Sequence, residues 1–369
     1  MDKCRIAPSP LELKDCGSMN AQPLVSIIVN NYNYDRFLAE AIDSALGQTY
    51  PNIEVIVVDD GSTDNSRNII AEYGNRIVAI LQENSKQGKA FNNGFSHSHG
   101  EIIIFLDSDD YLFPKAVEQI VQTWQPETAK VHYRLSVVDE QGQSRGFTYP
   151  QGNRQLATGQ VWQKLLEVST YPGVPTSGNA ISRAALAQVL PVPDDCTTMA
   201  DDYLSVLIPF YGEVLAIEEP LGAYRIHGNN QWALSSLSSS RLHRFIQHDL
   251  KKISLLIEKA TEFGYPVPPD LETRLVGRFW SRLASLKLDP ETHPVPNDRV
   301  LPITYLGLRA LWKYSGFKLK KRLALSLWFL WVGFLPLALV KPAISWFFIP
   351  NLRPKPFGWT FRKKRSVMS

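Results

Sequence analysis

The sequence predicts an α/β protein built on a mostly parallel, Rossmann-like sheet with helices on both faces. Two observations carry this reading. Apolar strand-like runs alternate with helical-period segments from residue 24 to residue 106, and two of those runs end in carboxylates, at Asp59-Asp60 and at Asp107, Asp109 and Asp110. In open α/β sheets, ligands bind beyond the carboxyl ends of the strands, so acidic strand ends delivered to one edge mark the expected site.

Residues 24–30, Leu-Val-Ser-Ile-Ile-Val-Asn, read as a buried first strand, and Asn31 to Tyr34 as a loop. A helix follows from about Asp35, with Phe37, Leu38, Ala41, Ile42, Ala45 and Leu46 at helical spacing, and Pro51 closes the connection. Strands at 53–58, 76–81 and 101–106 then alternate with helices at 64–73 and 88–98. Beyond Pro114 the pattern loosens into a helix to about Trp124, a strand near 131–138 and a Gly/Gln-rich turn at 141–146. A helix over 200–211 opens with Asp201-Asp202, and a short strand at 221–227 ends in Arg225-Ile226-His227. Two longer helical patterns, about 239–263 and 270–287, are separated by Pro266, Pro268 and Pro269.

Four regions result: a flexible tail over 1–22, an α/β body over 23–235, a helical extension over 236–300, and a basic, hydrophobic segment over 301–369. With 369 residues the chain is long enough for one large domain and an appendage. A net charge of +3 without an extended basic-aromatic surface argues against a nucleic-acid partner. Cys4, Cys16 and Cys196 are odd in number, which favours reduced, cytosol-facing thiols over a disulfide framework. The first 22 residues lack the apolar core of a signal peptide.

Near the C-terminal end, Leu323 to Val340 runs 18 residues without a charge, the lower edge of spanning length, and contains Trp328, Phe329, Trp331 and Phe334. Basic clusters flank it, Lys318, Lys320, Lys321 and Arg322 before and Arg362, Lys363, Lys364 and Arg365 after. Positive charge on both sides gives no clean orientation for a span, so an in-plane or re-entrant membrane anchor is the expectation. A single span ranks second, and a buried helix pair of a soluble domain is the plain alternative.

Carboxylates as close as Asp107, Asp109 and Asp110 repel one another, and a hard divalent ion bound through oxygen would compensate them and hold a diphosphate. A solvated acidic turn or a helix cap is the structural alternative. Gly61 suits a tight turn and Asp64 a cap, so part of the upstream acidic stretch is explained by structure alone.

Taken together, Val25-Ser26-Ile27-Ile28-Val29-Asn30-Asn31-Tyr32-Asn33, Val57-Val58-Asp59-Asp60-Gly61-Ser62-Thr63-Asp64, Asn84 to Gly94, Gly100-Glu101, Asp107-Ser108-Asp109-Asp110, Asp201-Asp202 and Tyr224-Arg225-Ile226-His227-Gly228-Asn229 stand in an order that resembles the family 2 glycosyltransferases, over residues 24–230. The resemblance implies a GT-A fold and a nucleotide-sugar donor, with Asn30, Tyr32 and Asp60 at the base. It implies Asp109 as direct ligand to Mg²⁺ or Mn²⁺ and Asp107 as contact to ribose or metal shell, with Asp110 as ligand, sugar contact or cap. His227 is implied at the metal or diphosphate, and Arg225 at phosphate or paired with a carboxylate. Asp202, or its neighbour Asp201, matches the catalytic base of inverting members, against the alternative of a first-turn acid favoured by the helix dipole. Where the family often has arginine this chain has Phe91, and Lys89 or Lys86 is the expected replacement at phosphate.

The implied activity is metal-dependent, inverting transfer of a sugar from a nucleoside diphosphate, UDP first, to an acceptor hydroxyl in lipid-linked glycan or cell-surface polysaccharide assembly. The implied location is the cytoplasmic face of a membrane. A sugar nucleotidyltransferase would carry a Gly-rich basic loop after its first strand, where this chain has Asn-Tyr-Asn-Tyr, and a non-catalytic sugar-nucleotide scaffold would not need both acidic ends and the Asp201-Asp202 pair.

Overall fold

The computed structural model describes residues 22–151, 154–228, 230, 238–349 and 352–353. Expectations for the N-terminal tail through residue 21, for Asn229 and for the basic residues 362–365 lie outside the described residues. The chain divides into two compact units, Met1–His227 with Ser254–Pro268, and Gly228–Ile253 with Pro269–Ser369.

The first unit opens with β1 (Val25–Asn31), α1 (Asp35–Leu46), β2 (Ile53–Asp60), α2 (Ser66–Glu72), β3 (Val78–Gln82), α3 (Gln87–His97) and β4 (Ile102–Asp107). The strands pair in parallel in the order β3-β2-β1-β4. All seven residues of β1 are buried, because both faces of the strand are covered. Val25, Ile27 and Val29 share a core with Leu38, Ala41, Ile42 and Ala45 of α1, and each such side chain contributes roughly 1.5–3 kcal/mol by leaving water. Ile28 points the other way, toward α3, which approaches so closely that a Cβ on Gly94 would stand 2.5 Å from Ile28 Cγ2. The register sets Asn30 beside Val58 and Asp107, and Asn31 beside Asp59, so the first loop and both acidic strand ends meet at one edge.

The unit continues with β5 (Tyr111–Leu112), α4 (Ala116–Thr123), β6 (Thr128–Val138), β7 (Ser144–Tyr149), α5 (Val161–Val168), β8 (Asn179–Ser182), α6 (Arg183–Ala187), α7 (Ala200–Leu207) and β9 (Glu213–Arg225). The sheet order runs on from β4 as β8-β6-β9-β5, with β7 paired to β6. β8 is antiparallel to both β4 and β6, while β6 and β9 are parallel. The nine-stranded sheet is therefore mixed rather than mostly parallel. The sequence concealed this because β8 has only four residues, too few to display a period. The strand expected at 221–227 is the end of a 13-residue strand, β9.

The second unit takes the first part of α8 (Ser239–Glu262), then α9 (Val276–Leu288), α10 (Val300–Lys313), α11 (Leu319–Phe334) and α12 (Leu337–Phe348). Leu242, Phe279, Leu283, Ile303, Leu311, Phe329, Val340 and Ile344 form one core, which draws on residues from both sides of position 300. The uncharged run 323–340 is divided at Leu335, where α11 ends and Pro336 caps α12. Among the described residues no helix is long and apolar enough to cross a membrane. One face of α11 and α12 is buried, but Leu327, Trp331, Phe334 and Leu339 are half exposed or more.

Candidate active site

At the end of β4 the chain turns through Asp107, Ser108, Asp109 and Asp110. Gln87 Nε2 donates to Asp107 Oδ1 at 3.1 Å, and the Asp107 N–H donates to Ser177 Oγ at 3.1 Å. Burial, then Asp109, then Asp201 push the Asp107 carboxyl up to about 8. The Asp110 carboxyl is also raised, by burial and then by Asp109 and Asp107, and its Oδ2 is buried with no hydrogen-bond partner. A chain that folds carboxylates into this proximity has gathered them at a cost in stability, the property that makes a cluster a candidate functional site.

His227 closes the cluster from the end of β9, its Nε2 lying 3.0 Å from Asp109 Oδ2. The imidazole is buried between Tyr34 and Phe37, with ring centroids at 5.4 and 5.1 Å. Arg225 takes one of the two places expected for it, paired with a carboxylate, that of Glu40. Its backbone N–H donates to Asp110 Oδ1 at 2.9 Å, its Nε to the Asp109 carbonyl at 2.9 Å, its Nη1 to the Glu140 carbonyl at 3.1 Å, and its Nη2 to Glu40. A buried guanidinium bound in this way holds the Asp109-Asp110 turn from behind.

On the opposite side of β4, Asn30 is buried and neither its side-chain nitrogen nor its oxygen has a hydrogen-bond partner, while Tyr32 stands 46% exposed beside it in the loop. Asp60 is engaged differently from a free base acceptor: its carboxylate accepts Gln82 Nε2 at 2.7 Å, Ser85 N at 2.7 Å and Lys86 N at 2.9 Å. It thereby ties residues 82–86 to the end of β2, next to the turn at Gly61. There φ is +80° and the chains approach so closely that a Cβ on Gly61 would stand 2.5 Å from the Asn84 backbone nitrogen, which only glycine accommodates. Lys89 pairs with Asp194 and lines a surface pocket of about 410 Å³ with Gln82, Ser85 and Asn92 rather than the carboxylates. Phe91, at the position where arginine was anticipated, is wholly buried and stacks on Phe105 at 4.1 Å, so this site is part of the core under β4.

The Asp201-Asp202 pair lies in the first turn of α7, with the Asp202 N–H donating to Asp201 Oδ1 at 2.7 Å. Both carboxylates line a pocket of about 80 Å³ together with Thr176, Asn179, Phe91 and Lys130. Asp201 raises the Asp107 carboxyl electrostatically, so the acidic pair and the strand-end cluster act on one another. Lys130 was not anticipated from the sequence. The available signal was Lys130, His132 and Arg134 at alternate positions of an otherwise apolar strand, three polar side chains on one face of β6. All three are buried and bind the segment that follows: Lys130 Nζ donates to Tyr171 Oη at 2.7 Å, His132 Nε2 lies 2.7 Å from the Ala157 carbonyl, and Arg134 Nε donates to Glu218 at 2.7 Å and its Nη1 to the Pro150 carbonyl at 2.9 Å.

Among the described residues, no group of three or more His, Cys, Asp or Glu side chains forms a ready-made metal cage. Asp109 and His227 nevertheless offer one oxygen and one imidazole nitrogen 3.0 Å apart, beside two carboxyls whose charge is disfavoured. This donor set fits an open divalent site completed by phosphate oxygens and water, the usual manner in which Mg²⁺ is held with nucleotides.

The family model for glycosyl transferase family 2 matches residues 26–175. An uncharacterized glycosyltransferase of Nostoc sp. (strain PCC 7120) is 36% identical over 232 residues, which cover 59% of this chain and 69% of that protein. The putative glycosyltransferase EpsH of Bacillus subtilis (strain 168) is 29% identical over 214 residues, 56% of this chain and 61% of that protein. Among solved structures, the mannosyltransferase PcManGT from Pyrobaculum calidifontis, in complex with GDP-Man and Mn²⁺, aligns at 20% identity over 92% of this chain and 86% of that one, with a TM-score of 0.49. An acidic site at the carboxyl edge of an α/β sheet, in a chain that matches the family model and the Nostoc relative, defines a sugar-transferring enzyme. The chain belongs to glycosyl transferase family 2.

Proposed function

We propose that this glycosyltransferase transfers a sugar from a UDP-linked donor, with inversion, to an acceptor hydroxyl presented at the cytoplasmic face of a membrane, in lipid-linked glycan or cell-surface polysaccharide assembly. The observation that carries the reaction is that two acidic groups meet at one place: Asp201 and Asp202 on α7 line a pocket with Thr176, whose neighbour Ser177 accepts the Asp107 N–H at the end of β4 at 3.1 Å. A UDP donor is supported by Asn30, whose buried amide offers an unpartnered donor and an unpartnered acceptor to a base edge such as uracil, with the Tyr32 ring beside it.

Asp109 and His227, with Asp107, would hold a Mg²⁺ or Mn²⁺ ion, which when bound compensates charge on the diphosphate. Arg225 and Asp110 fix the turn that presents Asp109. The Asp202 carboxylate accepts the acceptor hydroxyl proton as that oxygen forms a bond to the anomeric carbon, and the bond from that carbon to the phosphate oxygen breaks with its electron pair leaving on UDP. Attack from the face opposite the phosphate inverts the configuration.

The membrane part of the proposal rests on the second unit. Leu319, Leu327, Trp331 and Phe334 are half exposed or more on α11, a helix whose first turn holds Lys320, Lys321 and Arg322. Apolar side chains beside lysines suit an in-plane anchor on anionic lipid, where each basic residue adds about 1 kcal/mol. Flotation with vesicles containing anionic lipid checks it: L327E together with W331E should reduce binding at least tenfold, and unchanged flotation would remove the membrane from the proposal.

The reaction is tested by UDP release from a panel of UDP-sugars in the presence of Mn²⁺ and membrane lipid. Release from one donor, abolished by chelator and reduced about 10²–10⁴-fold in Asp202→Asn, is the expected result. Full release in the presence of chelator, or an active Asp202→Asn variant, would overturn the mechanism.

A further inference from the structure

The pocket shared by Asp201 and Asp202 contains a cation that the reaction does not use. Lys130 is 3% exposed, and its hydrogen bond goes to a neutral group, the Tyr171 hydroxyl at 2.7 Å, which in turn donates to the Ser205 carbonyl at 3.0 Å. An ammonium has three N–H donors, and among the described residues no carboxylate is ion-paired with it. Its strand neighbours are treated differently: Arg134 has Glu218, and His132 has the Ala157 carbonyl. A lysine buried without a counter-ion is costly, and burial alone lowers its ammonium to about 7.

Lys130 is the one cation lining the pocket among the described residues, and the uncharged wall does not substitute for it, since Asn179 already donates its Nδ2 to the Pro175 and Thr176 carbonyls at 2.7 and 3.2 Å. The pocket adjoins the donor cluster through Thr176, which lines it and whose neighbour Ser177 accepts the Asp107 N–H at 3.1 Å. At about 80 Å³ it admits a substituent of a few heavy atoms, not a second sugar ring. Asp201 and Asp202, which line it with Lys130, are partly exposed, whereas Lys130 is buried.

We propose that this pocket receives a carboxylate carried by the transferred sugar, with Lys130 as the specificity-determining residue that pairs with it, so that the donor is a nucleotide-linked uronic acid rather than a neutral hexose. The inference rests on the UDP-sugar reading above and names the sugar class within it. A carboxylate at the Lys130 end gives the ammonium the counter-ion and hydrogen-bond acceptor that the protein withholds. A hydroxymethyl group in the same place would leave the lysine as it stands, buried beside a neutral hydroxyl.

The test is a calorimetric titration of the full chain, in the presence of Mn²⁺, with UDP, UDP-glucose and UDP-glucuronate. Native protein should bind UDP-glucuronate about tenfold or more tighter than UDP-glucose, the size expected of a charge-assisted contact. Lys130→Met should remove that difference and leave UDP affinity unchanged, and Tyr171→Phe should retain the preference. Equal or tighter binding of UDP-glucose by the native chain, or a preference that survives in Lys130→Met, would overturn the inference while leaving the donor reading intact. Failure to bind UDP itself would overturn both.

Discussion

Acidic residues are used in opposite ways in the two units. In the first, Asp107, Asp109 and Asp110 crowd at the end of β4, and burial and mutual repulsion raise the carboxyls of Asp107 and Asp110. In the second, Asp298 is enclosed by Arg282 and by His293, whose Nε2 lies 2.9 Å away, and Asp270 accepts Tyr314, Arg309 and Arg274 together. The paired acids hold a fold, whereas the crowded ones carry a repulsion that the proposed metal-bound nucleotide would relieve. The contrast guards against a false site, because Ser285, His293 and Asp298 form a serine-histidine-aspartate chain at hydrogen-bond distances, 3.0 and 2.9 Å. Ser285 is wholly buried within α9 and Asp298 is bound to Arg282, so the chain is a structural clasp without access to substrate.

The sharpest way to separate the two uses is to neutralise an acid in each. Asp109→Ala should lower UDP release by about 10³-fold or more while the melting temperature stays level or rises, since it relieves repulsion. Asp298→Asn should do the reverse: removing the partner of Arg282 and His293 should destabilise the second unit by about 2–4 kcal/mol in denaturant unfolding, with turnover per folded molecule little changed.

A smaller effect of opposite sign is expected at Lys130. Its ammonium is depressed to about 7 in the folded protein against ~10.4 unfolded, so between these values the unfolded chain binds more protons and stability rises with pH. Lys130→Met should therefore stabilise the protein, by about 1–3 kcal/mol below pH 7, with the gain fading as pH climbs toward 10. A destabilising effect at pH 6 would mean that the lysine is a structural strut.

The mildest effect concerns acid. Hydrogen bonding by the Tyr314 hydroxyl, then by Arg309 and Arg274, holds the Asp270 carboxyl below the usual carboxylate range. Its contribution is present above the unfolded value of ~3.9 and is lost as pH falls further. Asp270→Asn should thus flatten the acid limb of the second unit's melting profile, and an unaltered limb would assign that lability to other groups.

Much of this architecture was legible in the sequence because the physics was local. β1 through β4 and the intervening helices show themselves by alternation of apolar period, and the acidic strand ends mark the edge. What stayed hidden was what tertiary pairing decides. Arg225 reads on its strand as a contact either to phosphate or to a carboxylate, and only the folded chain shows its donors on Glu40 and on the turn at Asp109-Asp110. Asp60 reads as an open acceptor until residues 82–86 fold onto it. Phe91 looks like a lost arginine until its ring is found stacked on Phe105. Lys130 carried a visible signal, polar residues alternating through a buried strand, whose meaning depended on the pocket that Asp201 and Asp202 complete.

If the crowded carboxylates of the first unit serve a metal-bound nucleotide, thermal melting with UDP and Mn²⁺ will register it. The expected result is a rise in melting temperature with both together, corresponding to about 2–3 kcal/mol at a ligand concentration near 100 times Kd, and absent with UDP plus chelator and in Asp109→Ala. The same rise with chelator present, or in Asp109→Ala, would contradict it and return these acids to the role of a costly structural turn.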